Sequence, residues 1–295
     1  MTERAVVFRV GEEELLGILH PGAEGARRGV LIAVGGPQYR VGSHRQFLLL
    51  ARHLAAQGIP VFRFDFRGMG DSSGAQRDYE EVHDDLRTAM ETFSAEMSGM
   101  HEVVIWGLCG AASAALFYAW RDARVAGLVL ANPWVRTDEG LARAYLKTYY
   151  LQRLISRDFW AGAFKGRFNP WVSLRSLGRM VGAAIGSSSG HSAGDPGASS
   201  PNLGDAPLPD RMAAGWQRFQ GPILVILSGD DLTAAEFRDV ATNAPAWSGL
   251  LQEPRVTLQE LPAANHTFSR REWRDQVANW THDWVRGLPA AGTES

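Results

Sequence analysis

The chain has 295 residues, 30 basic and 32 acidic, for a net charge of −2; 45% are hydrophobic and 21% charged. This ordinary globular balance excludes wholesale disorder and gives no electrostatic footprint for nucleic acid or an acidic membrane surface. A single cysteine excludes an internal disulfide framework and a cysteine-rich zinc site, and a free thiol suits a reducing cytoplasm.

The first ten residues carry Glu3, Arg4 and Arg9 and no apolar core, so no signal peptide is predicted. No run approaches the roughly 18 apolar residues of a membrane span, so stable membrane insertion is not expected. Residues 5–10 and 15–19 are short alternating runs separated by Gly11 and three Glu, and read as a hairpin closed by Pro21 and Gly22. The continuous apolar run 29–34 has the pattern of a strand buried on both faces and leads into Gly35-Gly36-Pro37-Gln38. Apolar residues at Phe47, Leu50, Ala51 and Leu54 give helical spacing over 44–57, ended by Gly58. A buried strand over 60–64 then meets a glycine-rich loop, Asp65-Phe66-Arg67-Gly68-Met69-Gly70-Asp71-Ser72. Asp78-Tyr79-Glu80-Glu81 fits a capping box for a helix to about residue 93.

A β-branched strand over 103–105 ends at Gly107, and an alanine-rich helix follows from Gly110 to about Trp120, with Cys109 on the turn between them. Such a turn from strand to helix holds one side chain exposed in a strained backbone, and small neighbours let the chain fold back. Its usual form is Gly-x-nucleophile-x-Gly; here the nucleophile position holds the sole cysteine, and Ala111 stands in the last place. A lone cysteine is more often a small buried hydrophobe, so its partners decide the reading.

Another strand covers 125–131. The segment 138–168 looks helical and aromatic, and 182–210 is a Gly/Ser/Ala/Pro-rich flexible linker. Alternation resumes with a strand at 222–227, a helix at 233–242, a strand at 255–261 and a helix at 269–286 opened by a second capping box at Ser269. The whole reads as an α/β fold, a mostly parallel twisted sheet with helices on both faces and an inserted helical cap. The expected organisation is a core over 1–136 and 221–295, with the insertion at 137–220 lying over the carboxyl ends of the strands, where such sheets bind ligands.

A cysteine nucleophile needs a base, a group to orient that base, and donors for an oxyanion. Where an elbow sits on an α/β sheet, the acid and then the histidine follow the nucleophile in the chain. Of eight histidines, five precede Cys109, His191 falls in the linker and His282 within the last helix. His266 occupies the loop between the last strand and the last helix, and is the candidate base. The acid is Asp230 or Asp231, which follow a buried strand; Asp231, at the end of the turn, is preferred, although helix N-termini favour both. The backbone N–H of Gly110 is one oxyanion donor. The second comes from Gly36 or Gln38, since Pro37 has none. Asp65, Arg67, Gly68 and Gly70 form a tight structural loop with an arginine available to brace it. No phosphate-loop pattern occurs. Gly186-Ser187-Ser188-Ser189-Gly190 matches a serine elbow literally, but lies in the linker without a strand before it or a helix after it.

Asp65-x-Arg67-Gly68-x-Gly70-x-Ser72, the Cys109 elbow, Asp231 and His266 together resemble the α/β-hydrolase superfamily over nearly the whole chain apart from the linker. The wording of Gly35 to Arg45, Gly107-Leu108-Cys109, Leu227 to Ala234 and Asn265 to Ser269 is similar to the exosortase A system-associated hydrolases, type 1, a bacterial group found beside exopolysaccharide and protein-sorting genes. The resemblance implies the α/β-hydrolase fold and a Cys-His-Asp triad acting on an ester, lactone or thioester of a small-molecule acyl substrate, without cofactor or metal. An acyltransferase passing the acyl group to a sugar or alcohol, or a ligand-binding protein on the same fold, are the alternatives. The oligomeric state is not readable from the sequence.

Overall fold

The computed structural model describes residues 3–35, 38–135 and 206–289. Eight strands form one sheet in the order β1-β2-β4-β3-β5-β6-β7-β8. They are β1 Arg4–Val10, β2 Glu13–His20, β3 Arg28–Ala33, β4 Val61–Phe64, β5 Glu102–Leu108, β6 Val125–Ala131, β7 Ile223–Asp230 and β8 Val256–Asn265. The opening hairpin pairs antiparallel, β1 with β2 and β2 with β4, and every later pairing is parallel. The helices among the described residues are α1 Gln46–Ala56, α2 His83–Glu96, α3 Gly110–Tyr118, α4 Leu208–Arg218, α5 Leu232–Asn243 and α6 Arg271–Gly287. This is the mostly parallel, doubly covered sheet expected from the alternation of strands and helices, in the α/β-hydrolase fold that the resemblance implies.

The central strands are apolar throughout because both faces of the sheet are covered. In β5, Val103 and Ile105 point into a core closed by α2, α3, α4 and α5, while Val104, Trp106 and Leu108 point into a second core closed by α1 and α6. A strand with a period of two therefore feeds both layers, and each buried aliphatic side chain contributes about 1.5–3 kcal/mol. Trp106 is buried with its indole N–H on Thr281 Oγ1 at 3.2 Å, which satisfies its one donor.

The chain divides into two compact units, Met1–Val135 with Leu208–Ser295, and Arg136–Pro207. Most of the expected insertion (137–220), the bulk of the expected linker (182–210) and the Gly186–Gly190 motif lie outside the described residues. The described end of that insertion is α4, whose Met212 and Trp216 are fully buried in the first core. By its packing α4 belongs to the first of the two units. The two capping boxes do not form: α2 starts at His83 after Val82 and α6 at Arg271 after Arg270, both without a side-chain cap. Asp78 instead closes its own turn through Glu80 N, and Ser269 bonds Asn265. The last strand runs four residues beyond the expected 255–261, through Pro262 to Asn265, because an edge strand tolerates proline. Among the described residues no helix is long and apolar enough to cross a membrane.

Candidate active site

Cys109 follows β5 directly and caps α3 at φ 59°, ψ −124°, a conformation that costs a non-glycine residue about 1–3 kcal/mol. The backbone around it is held on several sides. Its N–H donates to Ala131 O at 2.9 Å, and its carbonyl accepts from Ala112 N at 3.0 Å and Trp134 N at 3.3 Å. A Cβ on Gly107 would lie 2.6 Å from the Ala111 carbonyl, so the tight return of the chain requires glycine there. The same geometry explains the departure at Ala111. A Cβ on Gly35 would come within 2.5 Å of Ala111 N and 3.2 Å of Ala111 Cβ. The methyl group of Ala111 thus occupies space that Gly35, across from it on β3's exit, leaves empty.

The turns after β7 and β8 converge because Gly229 has no side chain: a Cβ there would sit 2.0 Å from Pro262 O. Where the register shifts, Asp230 pairs with Asn265 and the following residues, Asp231 and His266, come together. His266 Nδ1 lies 2.8 Å from Asp231 Oδ2. Asp231 also caps α5, its two oxygens accepting from Thr233 N and Ala234 N at 3.1 Å each. Asp230 is exposed and does neither. Cys109 acts on the same ring. Burial works against a charged ring, but the hydrogen bond to Asp231 and the influence of Asp231 and Cys109 outweigh it, pushing His266 up to about 10. His266 and Asp231 are thus joined, with Cys109 acting on the ring.

Gly110 is the first residue of α3, so its N–H has no intrahelical acceptor. Tyr79 packs beside it, its ring 3.4 Å from where a Gly110 Cβ would stand. Of the other expected oxyanion donors, Gly36 lies outside the described residues; Gln38 is described, and its Oε1 is buried without a partner among the described residues. The loop carrying Gln38 is anchored two residues on. Arg40 N donates to Asp65 Oδ1 at 2.6 Å, and the Arg40 guanidinium pairs with Asp65 and, at 2.8 Å, with Asp71. Burial raises Asp65 above the usual carboxylate range, opposed by the N–H of Asp71 and by Arg40. The glycine-rich loop is therefore the clamp of the loop that follows β3. Gly70 is required because a Cβ would lie 2.2 Å from Asp65 Oδ2, and Gly68 because its φ is 70°. Arg67 braces α2, with its N–H on Asp85 Oδ2 at 2.8 Å and Nε on Oδ1 at 2.5 Å.

The sequence reading missed Asn132. Buried at the end of β6 with φ 42°, it bonds Ser228 and the His266 carbonyl. The one available signal was a polar residue directly after a fully apolar strand.

A family model described as serine aminopeptidase, S33, matches residues 26–175. No curated protein matches the chain. Among solved structures, an esterase of Pyrococcus furiosus is 13% identical at a TM-score of 0.63, covering 98% of this chain and 92% of its own. An alpha/beta hydrolase from a Penicillium species is 17% identical at a TM-score of 0.60, covering 98% and 99%. Mouse alpha/beta hydrolase domain-containing protein 10 is 12% identical at 0.59, covering 97% and 100%. At these identities the likeness is one of fold.

Proposed function

This chain belongs to the serine aminopeptidase, S33, family and is a hydrolase, and from that premise we propose that it cleaves an ester, lactone or thioester of a small-molecule acyl substrate through a Cys109–His266–Asp231 triad. One observation carries the reading: His266 Nδ1 is hydrogen-bonded to Asp231, and the ring is pushed up by the sole cysteine of the chain, which sits in a strained elbow. The family is named for a serine, and sulfur stands in its place.

A ring that keeps its proton at neutral pH favours a thiolate beside it, and the N-terminus of α3 adds a partial positive charge. The thiolate attacks the carbonyl carbon, and the C–S bond forms as the carbonyl electrons move onto oxygen. The Gly110 N–H, with a second donor from Gly36 or Gln38, stabilises that oxyanion. Collapse breaks the bond to the leaving alkoxide or thiolate, which takes the proton of His266. With Cys109 acylated, its charge no longer holds that proton, so the ring can accept one from water. The hydroxide adds, collapse expels the Cys109 thiolate, and a carboxylic acid leaves. Amides are poorer substrates, because a thiolate leaves the tetrahedral intermediate more readily than an amine.

The resemblance of the Gly35–Arg45 and Leu227–Ala234 segments supports a setting in exopolysaccharide metabolism, and the free thiol supports a cytoplasmic one. The test is an ester and thioester panel with mass analysis of the trapped acyl-enzyme. An acyl adduct on Cys109 and loss of turnover in Cys109→Ala are expected; full turnover by Cys109→Ala overturns the reading. Product analysis with and without a sugar acceptor separates hydrolysis from acyl transfer.

A further inference from the structure

The end of β6 touches all three arms of the array. Ala131 O receives the N–H of Cys109 at 2.9 Å. The next residue, Asn132, reaches the other two. Its N–H donates to Ile226 O on β7 at 3.0 Å. Its Oδ1 accepts from Ser228 N at 2.8 Å, three residues before Asp231. Its Nδ2 donates to Ser228 Oγ at 2.8 Å and to the carbonyl oxygen of His266 at 3.0 Å. Ser228 Oγ in turn donates to Asn265 O at 2.9 Å. The side chain is fully buried, and both ends of its amide are used. The backbone sits at φ 42°, in the left-handed region where asparagine is among the few tolerated side chains. Two requirements thus coincide at one residue: a left-handed backbone at the strand end, and a donor and acceptor aimed at two different loops.

We propose that Asn132 is a positioning residue that fixes the His266 loop against the β7 turn, and so sets the distance of the His266 ring from both Cys109 and Asp231. The proposal rests on the triad reading above. Nothing in the arrangement brings Asn132 to the reacting atoms; it acts through the backbone of Asn265 and His266. A buried amide bonded on three sides holds that backbone more tightly than a loop could by itself, and misplacement of a catalytic group by about 1 Å costs on the order of 100-fold in rate.

The experiment uses the full chain with ¹⁵N-labelled histidine, an ester substrate, and the variants Asn132→Gly and Ser228→Ala. Glycine keeps the left-handed backbone, so only the side-chain bonds are lost; Ser228→Ala removes the hydroxyl link and keeps the asparagine. The NMR titration of His266 is expected to lie well above the ordinary histidine value of about 6.5 in the wild type, near 10, and to move towards that value in Asn132→Gly and in the same direction, by less, in Ser228→Ala. In Asn132→Gly, kcat falls about 10- to 100-fold with KM little changed. If Asn132→Gly does not fold, Ser228→Ala carries the test alone. Variants that lose only thermal stability, keeping the wild-type His266 midpoint and kcat, overturn the proposal. A wild-type His266 that titrates as an ordinary histidine, together with ester turnover by Cys109→Ala, overturns the triad reading instead.

Discussion

Asp231 holds a ring nitrogen and caps a helix with the same carboxylate, and one substitution separates these tasks. Oδ1 accepts from Thr233 N, whereas Oδ2 is shared between Ala234 N and His266 Nδ1. In Asp231→Asn the remaining oxygen keeps Thr233 N, and an NH2 group takes the place of Oδ2. That group can only donate, so His266 Nδ1 must accept and the ring proton is left on Nε2. The ring becomes neutral and can neither hold a thiolate as an ion pair nor take a proton on the nitrogen facing it. The same exchange in a Ser-His-Asp enzyme costs about 10⁴-fold in kcat, roughly 5 kcal/mol of transition-state stabilisation, and that loss is expected here. Asp231→Ala should lose as much activity and, in addition, the cap of α5, about 1 kcal/mol or roughly 2 °C in Tm relative to Asp231→Asn.

The assay is steady-state hydrolysis of a p-nitrophenyl ester beside thermal unfolding of both variants. The pH dependence of stability gives a second readout. Folded His266 holds its proton to about pH 10, against 6.5 for the free side chain. Its stabilising contribution is therefore full below pH 6.5, shrinks as pH rises, and is gone above about 10. The stability gap between wild type and Asp231→Asn should narrow over that window. Retention of a tenth or more of wild-type activity by Asp231→Asn refutes the role given to the carboxylate, and equal stability of the two variants refutes the capping account.

Three further outcomes follow from local geometry. Cys109→Gly should abolish esterase activity yet raise stability by about 1 kcal/mol, because glycine relieves the elbow at φ 59°; guanidinium denaturation checks it, and a loss of stability would show the elbow unstrained. Gly229→Ala places a methyl group 2.0 Å from Pro262 O, so β7 and β8 must part where they carry Asp231 and His266; a loss of about 2 kcal/mol and at least tenfold in kcat is expected from denaturation and the ester assay. Arg40→Met strands the fully buried Asp65 carboxylate, which should cost about 3–5 kcal/mol at neutral pH by urea denaturation, less at acid pH where Asp65 takes up a proton, with recovery in the double variant with Asp65→Asn.

The fold was legible because a doubly covered sheet leaves a one-dimensional signature: apolar runs such as 29–34 and 125–131 become β3 and β6 with little change of boundary. The meeting of Asp231 and His266 was legible for a related reason, since each residue lies at the carboxyl end of a strand and chain order alone places it there. What the sequence hid is what depends on two distant segments at once. The capping boxes at Asp78 and Ser269 satisfied a local pattern, but Ser269 is taken by Asn265 and Asp78 by its own turn. The choice between Asp230 and Asp231 turned on a register shift in β7 and β8. The tolerance of Ala111 depends on Gly35, which is 76 positions earlier and is next to it only in the fold. Asn132 has no partner within reach along the chain, so no local rule singles it out.

On the proposed reading, sulfur changes the timing of the proton more than the architecture around it. Two neighbours hold His266 charged, and only Asp231 is permanent. Cys109 can contribute charge only while its sulfur carries no acyl group. Burial, which by itself disfavours the charged ring, then gains on Asp231. The ring is therefore held most firmly protonated before attack, and gives up its proton more readily once the C–S bond has formed, when first the leaving group and then water draw on it. The alternation requires that His266 keep its distance from a nucleophile whose charge comes and goes, and the bond from buried Asn132 to the His266 carbonyl is well placed to hold it there.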